Sequence, residues 1–423
     1  MDYTKNEVLQ YIAENDVKFI KLFFTDIFGA IKSISVQPGE LPKAFKTGIS
    51  FDASAVKGFL EASKSDLFIV PDPTTLSVLP WRPQHGRVVR FFCNVHNADG
   101  TPFEGDSRHI LQQTAAYAEK LGYEVHIGTE CEFYLFQTDE KGEPTHIPQD
   151  TAGYCDLAPR DRGENVRRDI CLTLIQMGII PEVSHHETGP GQQEVDFKYD
   201  TLVKASDNLG TFKTVVKTIA ARNGLYASFM PKPLSASAGS GLHINISLYR
   251  NGHNIFDSDP LPDDARSFIA GILFRIREIT AFLNPLNNSY DRFGSYEAPK
   301  YVSWSSQNRS QLIRIPAETG ERKRLELRSP DPSCNQYLAL SLIIRAGFEG
   351  IAEKRQLPVP NDINLFNATP GRLKGLETLP LTLGDALELA AASGFVLSIL
   401  PAATLNAFIT MKKSSADPDF EEI

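Results

Sequence analysis

Two glutamates in the segment GTECEFYLF, Glu130 and Glu132, are separated by a single residue in a stretch that reads as a β-strand. Side chains two positions apart on a strand point to the same face of the sheet, so these carboxylates are expected to lie side by side. Neighbouring negative charges become favourable when a divalent cation that prefers oxygen ligands binds between them. The pair by itself also fits two exposed strand carboxylates, and that alternative stays open.

Two further segments carry possible metal ligands. In SHHETGPGQQEVDF, Glu187 and Glu194 flank a Gly-Pro-Gly turn that could fold both carboxylates onto one centre. In GSGLHINISLY, a glycine-rich turn runs into a strand that places His243, Asn245 and Ser247 on one face. A surface hairpin with glutamates, and a histidine with a structural role, are the alternatives for the two segments.

The segment ERKRLELRSPD alternates charge with apolar residues, so that Arg324, Glu326 and Arg328 share one face of a predicted strand. Burying such a face without a ligand would be costly. Three other arginines lie near it in the sequence: Arg292, Arg309 and Arg314. Guanidinium groups bind phosphate and carboxylate oxygens well, although a solvated basic face is the alternative for these three.

The chain of 423 residues is longer than one ordinary domain, which favours two or three units. The 42% hydrophobic and 22% charged residues are typical of a globular protein. The net charge of −9 argues against a nucleic-acid-binding surface, and no apolar run reaches membrane-spanning length. The first residues lack a signal-peptide pattern, and the five cysteines are scattered without a CxxC pair, so we expect a cytoplasmic protein with reduced thiols. The common nucleotide-binding and hydrolase motifs are absent, so an ATP site would be of another kind.

The elements that position these residues follow from periodicity and caps. Thr4 and Glu7 form a predicted capping box for a helix that ends near Asn15, and alternating apolar residues then predict a small sheet. The loop NADGTPFEGD separates a domain over 1–100 from one over 101–423. Beyond it, Ser107 is predicted to cap a helix that runs to Gly122. Later helices are predicted over 164–178, 209–223, 263–283 and 335–354.

In their order and spacing these segments resemble the glutamine synthetase family of bacterial type I, over nearly the whole chain. The resemblance is carried by FTDIFG, SFDASAVKGF, GTPFEGD, GTECEFYLF, SHHETGPGQQEVDFKY, TFKTVVKTIA, FMPKPL, GSGLHINIS, NSYDRFGSYEAP, SQNRSQLIRIP, RLELRSPDPS and NQYLALSL. It implies an α+β protein with a small N-terminal β-grasp-like domain over 1–100. A catalytic domain with a curved antiparallel sheet is implied over 101–423. It also implies hexameric rings, with active sites completed across subunits.

The resemblance assigns roles residue by residue. One metal is implied at Glu132, Glu187 and Glu194, and a second at Glu130, His243 and Glu326. Two or three Mg²⁺ or Mn²⁺ ions are implied per active site, with ATP as co-substrate. The implied catalytic residues are Asp52, Glu297 and Arg309. The implied substrate-binding residues are Arg292, Arg328, Gly239, Tyr154 and Asp66. The implied nucleotide-binding residues are Asn245, Ser247, Arg314, Arg324 and Tyr199.

The implied reaction joins glutamate and ammonia at the expense of ATP through γ-glutamyl phosphate. In it, Asp52 of a neighbouring subunit takes a proton from ammonium, and Glu297 lies on a flap that closes the site. No nucleic acid or membrane partner is implied. A ligase for a larger amine, such as methylamine, ethanolamine or a polyamine, is the first alternative, and a catalytically silent family member is the second.

Several positions depart from the family pattern. Ala53 and Ala55 stand where type I members usually have glycine and serine, so one hydroxyl is missing beside the ammonium pocket. Ala238 replaces an asparagine near the substrate, and Asp291 replaces a lysine in a flap that is one residue shorter. The positions used in relatives for adenylylation and feedback inhibition hold Phe366 and Glu61. The family's C-terminal His-Pro-Trp-Glu motif is also absent, which predicts a single hexamer or a weaker dodecamer.

Overall fold

The computed structural model describes residues 3–82 and 85–414, which contain two β-sheets and the helices packed on them. Within these ranges the first sheet consists of β1 (Val17–Thr25), β2 (Ile31–Val36), β3 (Ile49–Asp52), β4 (Asp66–Pro71), β5 (Ser77–Val78) and β6 (Arg87–His96). Its strand order is β2-β1-β6-β4-β3, with β5 also paired to β6. β1 and β6 are parallel, whereas the other pairs are antiparallel.

The second sheet has eleven strands among the described residues and contains the segments with the predicted metal ligands. Its strands are β7 (Glu124–Thr138), β8 (Pro144–Pro148), β9 (Pro181–His186), β10 (Gln192–Phe197), β11 (Asp200–Thr201), β12 (Leu225–Ser228), β13 (Leu242–Arg250), β14 (His253–Asn254), β15 (Trp304–Ser306), β16 (Ile313–Ile315) and β17 (Leu325–Leu327). The main path is β15-β16-β17-β13-β7-β10-β9. All its pairs are antiparallel except β15 with β16.

The helices confirm most of the predicted positions. Their bounds are α1 (Lys5–Glu14), α2 (Leu41–Thr47), α3 (Ser107–Lys120), α4 (Glu164–Gln176), α5 (Leu202–Arg222), α6 (Asp263–Leu283), α7 (Gln336–Ala352), α8 (Pro370–Leu373), α9 (Leu383–Ala392), α10 (Gly394–Leu397) and α11 (Ala402–Ser414). Short 3-10 helices cover Pro38–Glu40, Ala53–Ala55, Ala62–Lys64, Pro73–Thr75, Asn287–Arg292 and Gly320–Arg322. The predicted capping box of α1 is present, with Thr4 as the cap and Glu7 as its partner.

Two predicted helix starts are wrong. The cap of α3 is Asp106, whose carboxylate accepts the backbone N–H of Arg108, and Ser107 is the first helical residue. Both residue types cap helices well, so composition alone does not separate them. α5 begins at Leu202 rather than at 209, because its first turns are buried against the protein and tertiary packing extends the helix.

The apolar faces of the second sheet and of α3, α5, α6 and α7 form one continuous core, while the first sheet has a core of its own with α1 and α2. This arrangement matches the expected α+β class, with a small sheet-rich first part and a large second part. Within residues 3–82 and 85–414, no helix combines the length and apolar character needed to cross a membrane. The five cysteines are free, as predicted.

A buried charge network joins the first sheet to the helices of the second part. Arg108 on α3 donates to Asp207 on α5 at 2.8 Å and to Asp72, which follows β4, at 2.9 Å. The Tyr337 hydroxyl on α7 donates to the other oxygen of Asp207 at 2.7 Å. Because the Arg108 and Asp207 side chains are 4% and 6% exposed, each charge depends on the other for compensation.

We therefore expect the substitution Arg108→Met to lower the free energy of unfolding by about 3–5 kcal/mol, because it removes the cation that hydrogen bonds to buried Asp207. The control is Arg160→Met, since Arg160 pairs with Asp156 at 3.1 Å but is 69% exposed and hydrated. Urea unfolding at one fixed protein concentration measures both. Equal midpoint shifts in the two variants would contradict a structural role for the buried network.

Candidate active site

The centre of the site lies where β7 and β13 pair in antiparallel register. Glu130 on β7 is opposite His243 on β13, and His243 Nδ1 lies 3.1 Å from Glu130 Oε2. The Asn245 side-chain amide donates to Glu130 Oε1 at 2.9 Å. Strand alternation thus places Glu130, His243 and Asn245 on one face, while the residues between them enter the core.

Glu326 on β17 completes this side of the site. Its side chain is fully buried, and both of its oxygens are held by arginines: Arg314 donates from Nε to Oε2 at 3.1 Å, and Arg328 donates to Oε1. Ligand atoms of Glu130, His243 and Glu326 lie within 4.8 Å of one another. This is the donor set of the second predicted metal site, brought together from three strands.

Glu132 lies on the same face of β7, two residues beyond Glu130, and is opposite Glu194 on β10. Its Oε2 accepts the backbone N–H of Gly241 at 2.9 Å and the side-chain amide of Gln192 at 2.9 Å. These bonds hold the carboxylate against the glycine-rich turn before β13. Backbone and amide donors therefore set the orientation of the Glu132 carboxylate.

The hairpin between β9 and β10 supplies Glu187 and Glu194. His185 lies between them, with Nδ1 at 3.4 Å from Glu187 and Nε2 at 3.7 Å from Glu194. Glu194 also forms a tighter group with His185 and Asp196, whose ligand atoms lie within 4.8 Å of one another. The Glu132, Glu187 and Glu194 carboxylates line one cavity, but they are not among the groups of described residues whose ligand atoms all lie within 4.8 Å of one another.

The carboxyl groups of the site have pKa values that are shifted in opposite directions. Burial, reinforced by the Glu132 charge, raises the pKa of Glu187 to about 7, and burial with Asp196 and Glu132 nearby raises the pKa of Glu194 well above its usual range. For Glu130, burial opposes ionisation, but hydrogen bonds from His243 and Asn245 lower its pKa to about 2. The repulsion is thus concentrated on the hairpin side of the site.

These donors fit divalent cations. Five carboxylates with one imidazole are a predominantly oxygen set, which suits hard ions such as Mg²⁺ and Mn²⁺. A cation near Glu187 and Glu194 would offset the repulsion that otherwise favours their protonated forms.

Two buried guanidinium groups face the same cavity. Arg292 and Arg328 are 3% and 1% exposed, yet among the described residues the Nε of each has no hydrogen-bond partner. Arg292 donates from Nη1 to the Ser329 carbonyl at 3.1 Å. A buried donor without an acceptor is costly, so these groups fit an anionic ligand such as a carboxylate.

Two residues of the predicted flap, Tyr296 and Glu297, line this cavity. Tyr296 and Glu297 adopt φ values of +46° and +65°, which are unfavourable for non-glycine residues. The Tyr296 hydroxyl donates to the Ala236 carbonyl at 3.0 Å, and Arg328 Nη2 lies 3.5 Å from Glu297 Oε2. These contacts offset the backbone strain and keep the exposed Glu297 carboxylate at the cavity entrance.

Two connected cavities contain most of the predicted site. The first, of about 780 Å³, is lined by Glu130, Glu132, Tyr154, Glu187, Glu194, Gly239, His243, Arg292, Glu297, Arg309, Arg314, Arg324 and Arg328. The second, of about 520 Å³, is lined by the predicted nucleotide residues Tyr199, Asn245, Ser247 and Arg324. They share Glu130, Asp196, Glu318 and Arg324, so a ligand in one would approach a ligand in the other.

Asp52 and Asp66 lie elsewhere in this chain. They are paired opposite each other on β3 and β4, at an exposed edge of the first sheet, and line neither cavity. The hydroxyl and backbone N–H of Ser54 donate to Asp52 at 2.6 and 2.9 Å and lower the pKa of this carboxyl. The contribution of Asp52 to a neighbouring subunit stays a prediction.

Three residues that border the carboxylate cluster had no predicted role: His185, Gln192 and Asp196. Gln192 and Asp196 are each two positions from Glu194 on β10, so the same strand alternation that groups Glu130 with Glu132 could have identified them. Asp196 reaches both cavities, and burial together with the Glu130 charge raises its pKa to about 8.

Comparison with known proteins identifies the family. Residues 16–98 match the model of the glutamine synthetase β-grasp domain, and residues 104–422 match that of the glutamine synthetase catalytic domain. The chain is 48% identical to a glutamine synthetase of Clostridium saccharobutylicum over 91% of this chain and 89% of the relative. It is 45% identical to one of Methanosarcina mazei, over 98% of this chain and 94% of the relative.

Solved structures show the same fold. A structure described as "GmaS/ADP complex-Conformation 1" is 30% identical, with a TM-score of 0.88 over 98% of this chain and 95% of that chain. A glutamine synthetase of Plasmodium falciparum, at 24% identity, has a TM-score of 0.87 over 97% of this chain and 95% of that chain, and supports the fold alone. With both family models matched in order and nearly the whole length covered, this chain belongs to the glutamine synthetase family.

Proposed function

We propose that the protein is a glutamine synthetase, which joins glutamate and ammonia through γ-glutamyl phosphate with consumption of ATP. The single observation that carries the proposal is the placement of Arg292 and Arg328 in the cavity that also contains the glutamate cluster. The buried Nε of each arginine has no hydrogen-bond partner among the described residues. Such a cavity binds an acid beside cations. The second cavity then provides room for the nucleotide, with its phosphates directed toward the shared Arg324.

We assign the divalent ions to the two ligand sets predicted from the sequence, Glu130 with His243 and Glu326, and Glu132 with Glu187 and Glu194. When bound, these ions supply positive charge that stabilises the transferring phosphoryl group. The protein's own contribution is to fix the arginines around it. Arg314 on β16 and Arg324, which directly precedes β17, line the cavity, and exposed Arg309 reaches it from the loop after β15. Positioning and charge stabilisation account for most of the catalysis of phosphoryl transfer.

The acid substrate is assigned to Arg292 and Arg328, with the Gly239 backbone beside it. A carboxylate is a poor electrophile, and phosphorylation converts it into an acyl phosphate that an uncharged amine attacks. Water would destroy that intermediate, so a flap at the entrance has a protective function. The Glu297 flap is already tethered by Tyr296, which suits it to shield the reacting group.

For the amine we propose a site shared between subunits. Asp52, with its lowered pKa, is charged at neutral pH and could accept a proton from ammonium after assembly places it near Tyr154 of another copy. Asp66 is opposite Asp52 and adds negative charge there. Assembly into hexameric rings, or into dodecamers built from them, would supply this contact. The cytoplasm remains the predicted compartment.

The missing hydroxyl at Ala55 favours one second candidate, a ligase for a larger amine. An ammonium ion needs several close oxygen partners, whereas an alkyl group would use the space that a serine hydroxyl otherwise takes. Ala55 is exposed in the single chain and lies three residues after Asp52, the last residue of β3, so it would face the amine together with that carboxylate.

The substitution Glu326→Gln should lower ATP-dependent phosphate release at least about 100-fold, because it removes an anionic ligand and leaves Arg314 and Arg328 unbalanced beside the phosphoryl site. Steady-state phosphate assays with glutamate and ammonia measure this. The matched control is Glu349→Gln, a carboxylate that also pairs with an arginine, Arg275, at 2.7 Å but lies outside both cavities. Normal turnover by the Glu326 variant would remove this residue from the mechanism.

An amine panel separates the two candidate functions. With glutamate and saturating ATP, we expect ammonia to give glutamine efficiently and alkyl amines or polyamines to give no amide, as identified by mass spectrometry. The variant Ala55→Ser should keep or tighten the apparent affinity for ammonia, since it adds an oxygen partner. Efficient turnover of a larger amine, impaired by the same substitution, would instead establish the alternative.

Ring assembly should be measurable by light scattering on dilution. We expect a hexamer or a larger ring assembly to persist on dilution to the concentration of the activity assay, because the proposed amine site combines Asp52 of one copy with Tyr154 of another. A catalytically active monomer would contradict the shared amine site.

A further inference from the structure

Asp150 is the centre of a buried hydrogen-bond network next to the β9–β10 hairpin that carries Glu187 and Glu194. It lines neither cavity. The residue is 5% exposed and lies in the segment between β8 and α4. Its Oδ1 accepts from the Gly191 N–H at 3.1 Å, the Ala152 N–H at 3.2 Å and His186 Nε2 at 2.9 Å. Its Oδ2 accepts the Arg162 N–H at 2.8 Å. One carboxylate therefore ties together three stretches of chain.

Two of these stretches are the two ends of the turn between β9 and β10. His186 precedes Glu187, and its Nδ1 lies 2.7 Å from the Glu187 carbonyl, so Asp150 fixes the start of the hairpin through the imidazole. Gly191 forms the other end of the same turn, directly before Gln192. The hairpin that presents Glu187 is thus held at both ends by a single side chain.

The third stretch carries Tyr154. Asp150 accepts the Ala152 N–H, and the Cys155 N–H donates to the His186 carbonyl at 2.9 Å, so the loop is fastened to β9 on both sides of Tyr154. The Tyr154 ring packs edge-on against His185, with centroids 5.3 Å apart. The loop and the hairpin consequently form one unit with Asp150 at its base.

Asp150, Asp161 and His186 have ligand atoms within 4.8 Å of one another. The hydrogen bonds of Asp161 nevertheless argue against a further metal site at this cluster. Both Asp161 oxygens accept from Arg167, at 3.2 and 2.6 Å, and Oδ1 also accepts the Gly163 N–H at 2.8 Å. The oxygens of Asp150 and Asp161 already have nitrogen donors. A cation would have to displace several buried N–H groups, at a high desolvation cost.

We propose that Asp150 is a positioning residue that holds the Glu187 hairpin and the Tyr154 loop as one unit, so that metal affinity and amine affinity depend on the same buried carboxylate. The inference rests on the proposed function and deepens it. Partners behind metal ligands set ligand orientation, and their loss weakens metal binding by about 10- to 100-fold. Here the same loss would also release the loop that carries Tyr154.

The test uses the full-length variants Asp150→Ala and Asp150→Asn. Binding of Mn²⁺ alone, followed by electron paramagnetic resonance without substrates, should weaken by about 10- to 100-fold in the alanine variant. The asparagine variant, which keeps one acceptor oxygen, should fall between it and the original protein. The KM for ammonia should rise in the same order in steady-state assays. Circular dichroism establishes that each variant is folded, and the asparagine variant suffices if the alanine variant does not fold.

The matched control is Asp139→Asn. Asp139 also accepts two backbone N–H groups, from Lys141 and Glu143 at 2.8 Å each, but in the turn between β7 and β8 outside both cavities. Its substitution should change neither Mn²⁺ affinity nor the KM for ammonia. Unchanged Mn²⁺ affinity in the Asp150 variants, or weaker Mn²⁺ binding with an unchanged KM, would overturn the inference alone. Failure of the original protein to bind Mn²⁺ would overturn the proposed function and this inference with it.

Discussion

Repulsion between carboxylates that the fold forces into one cavity is the constraint on which the site depends. Strand pairing puts Glu132 opposite Glu194, and the hairpin adds Glu187 to them. On the other side, Arg314 and Arg328 already balance Glu326 within the protein, and hydrogen bonds from His243 and Asn245 stabilise the Glu130 carboxylate. The site is therefore divided into a compensated half and an uncompensated half. Divalent cations between the halves would make the whole cluster favourable, and the buried arginines behind them would then bind an anionic substrate.

The sequence predicted the fold well wherever a local signal agreed with the tertiary structure. The capping box of α1 is matched because the cap and the apolar periodicity favour the same residues, and the bounds of α6 are matched because its apolar periodicity agrees with burial. The early start of α5 was missed because it depends on tertiary packing. The Asp106 cap of α3 was missed because Asp106 and Ser107 are equally good capping residues. The parallel pairing of β15 with β16 has no local signature, because these strands have only three residues each.

Side-chain alternation also predicted which residues of one strand act together, as for Glu130 with Glu132 and His243 with Asn245. The grouping across strands came from the family resemblance, because the register of β7, β13 and β17 depends on contacts between distant segments. Asp150 could not have been singled out, since an isolated aspartate in a loop gains its role only when Gly191 and His186 fold against it. The position of Asp52 depends on assembly, and one chain leaves it at an exposed edge.

We propose that this carboxylate cluster binds divalent cations. Crystals grown with Mn²⁺ and measured at the manganese absorption edge test it most directly, because anomalous density locates the ion independently of the surrounding protein. We predict one peak coordinated by Glu130, His243 and Glu326, and another among Glu132, Glu187 and Glu194. A well-ordered site with these side chains in place and no anomalous peak between them, at Mn²⁺ concentrations that support turnover, would contradict the account.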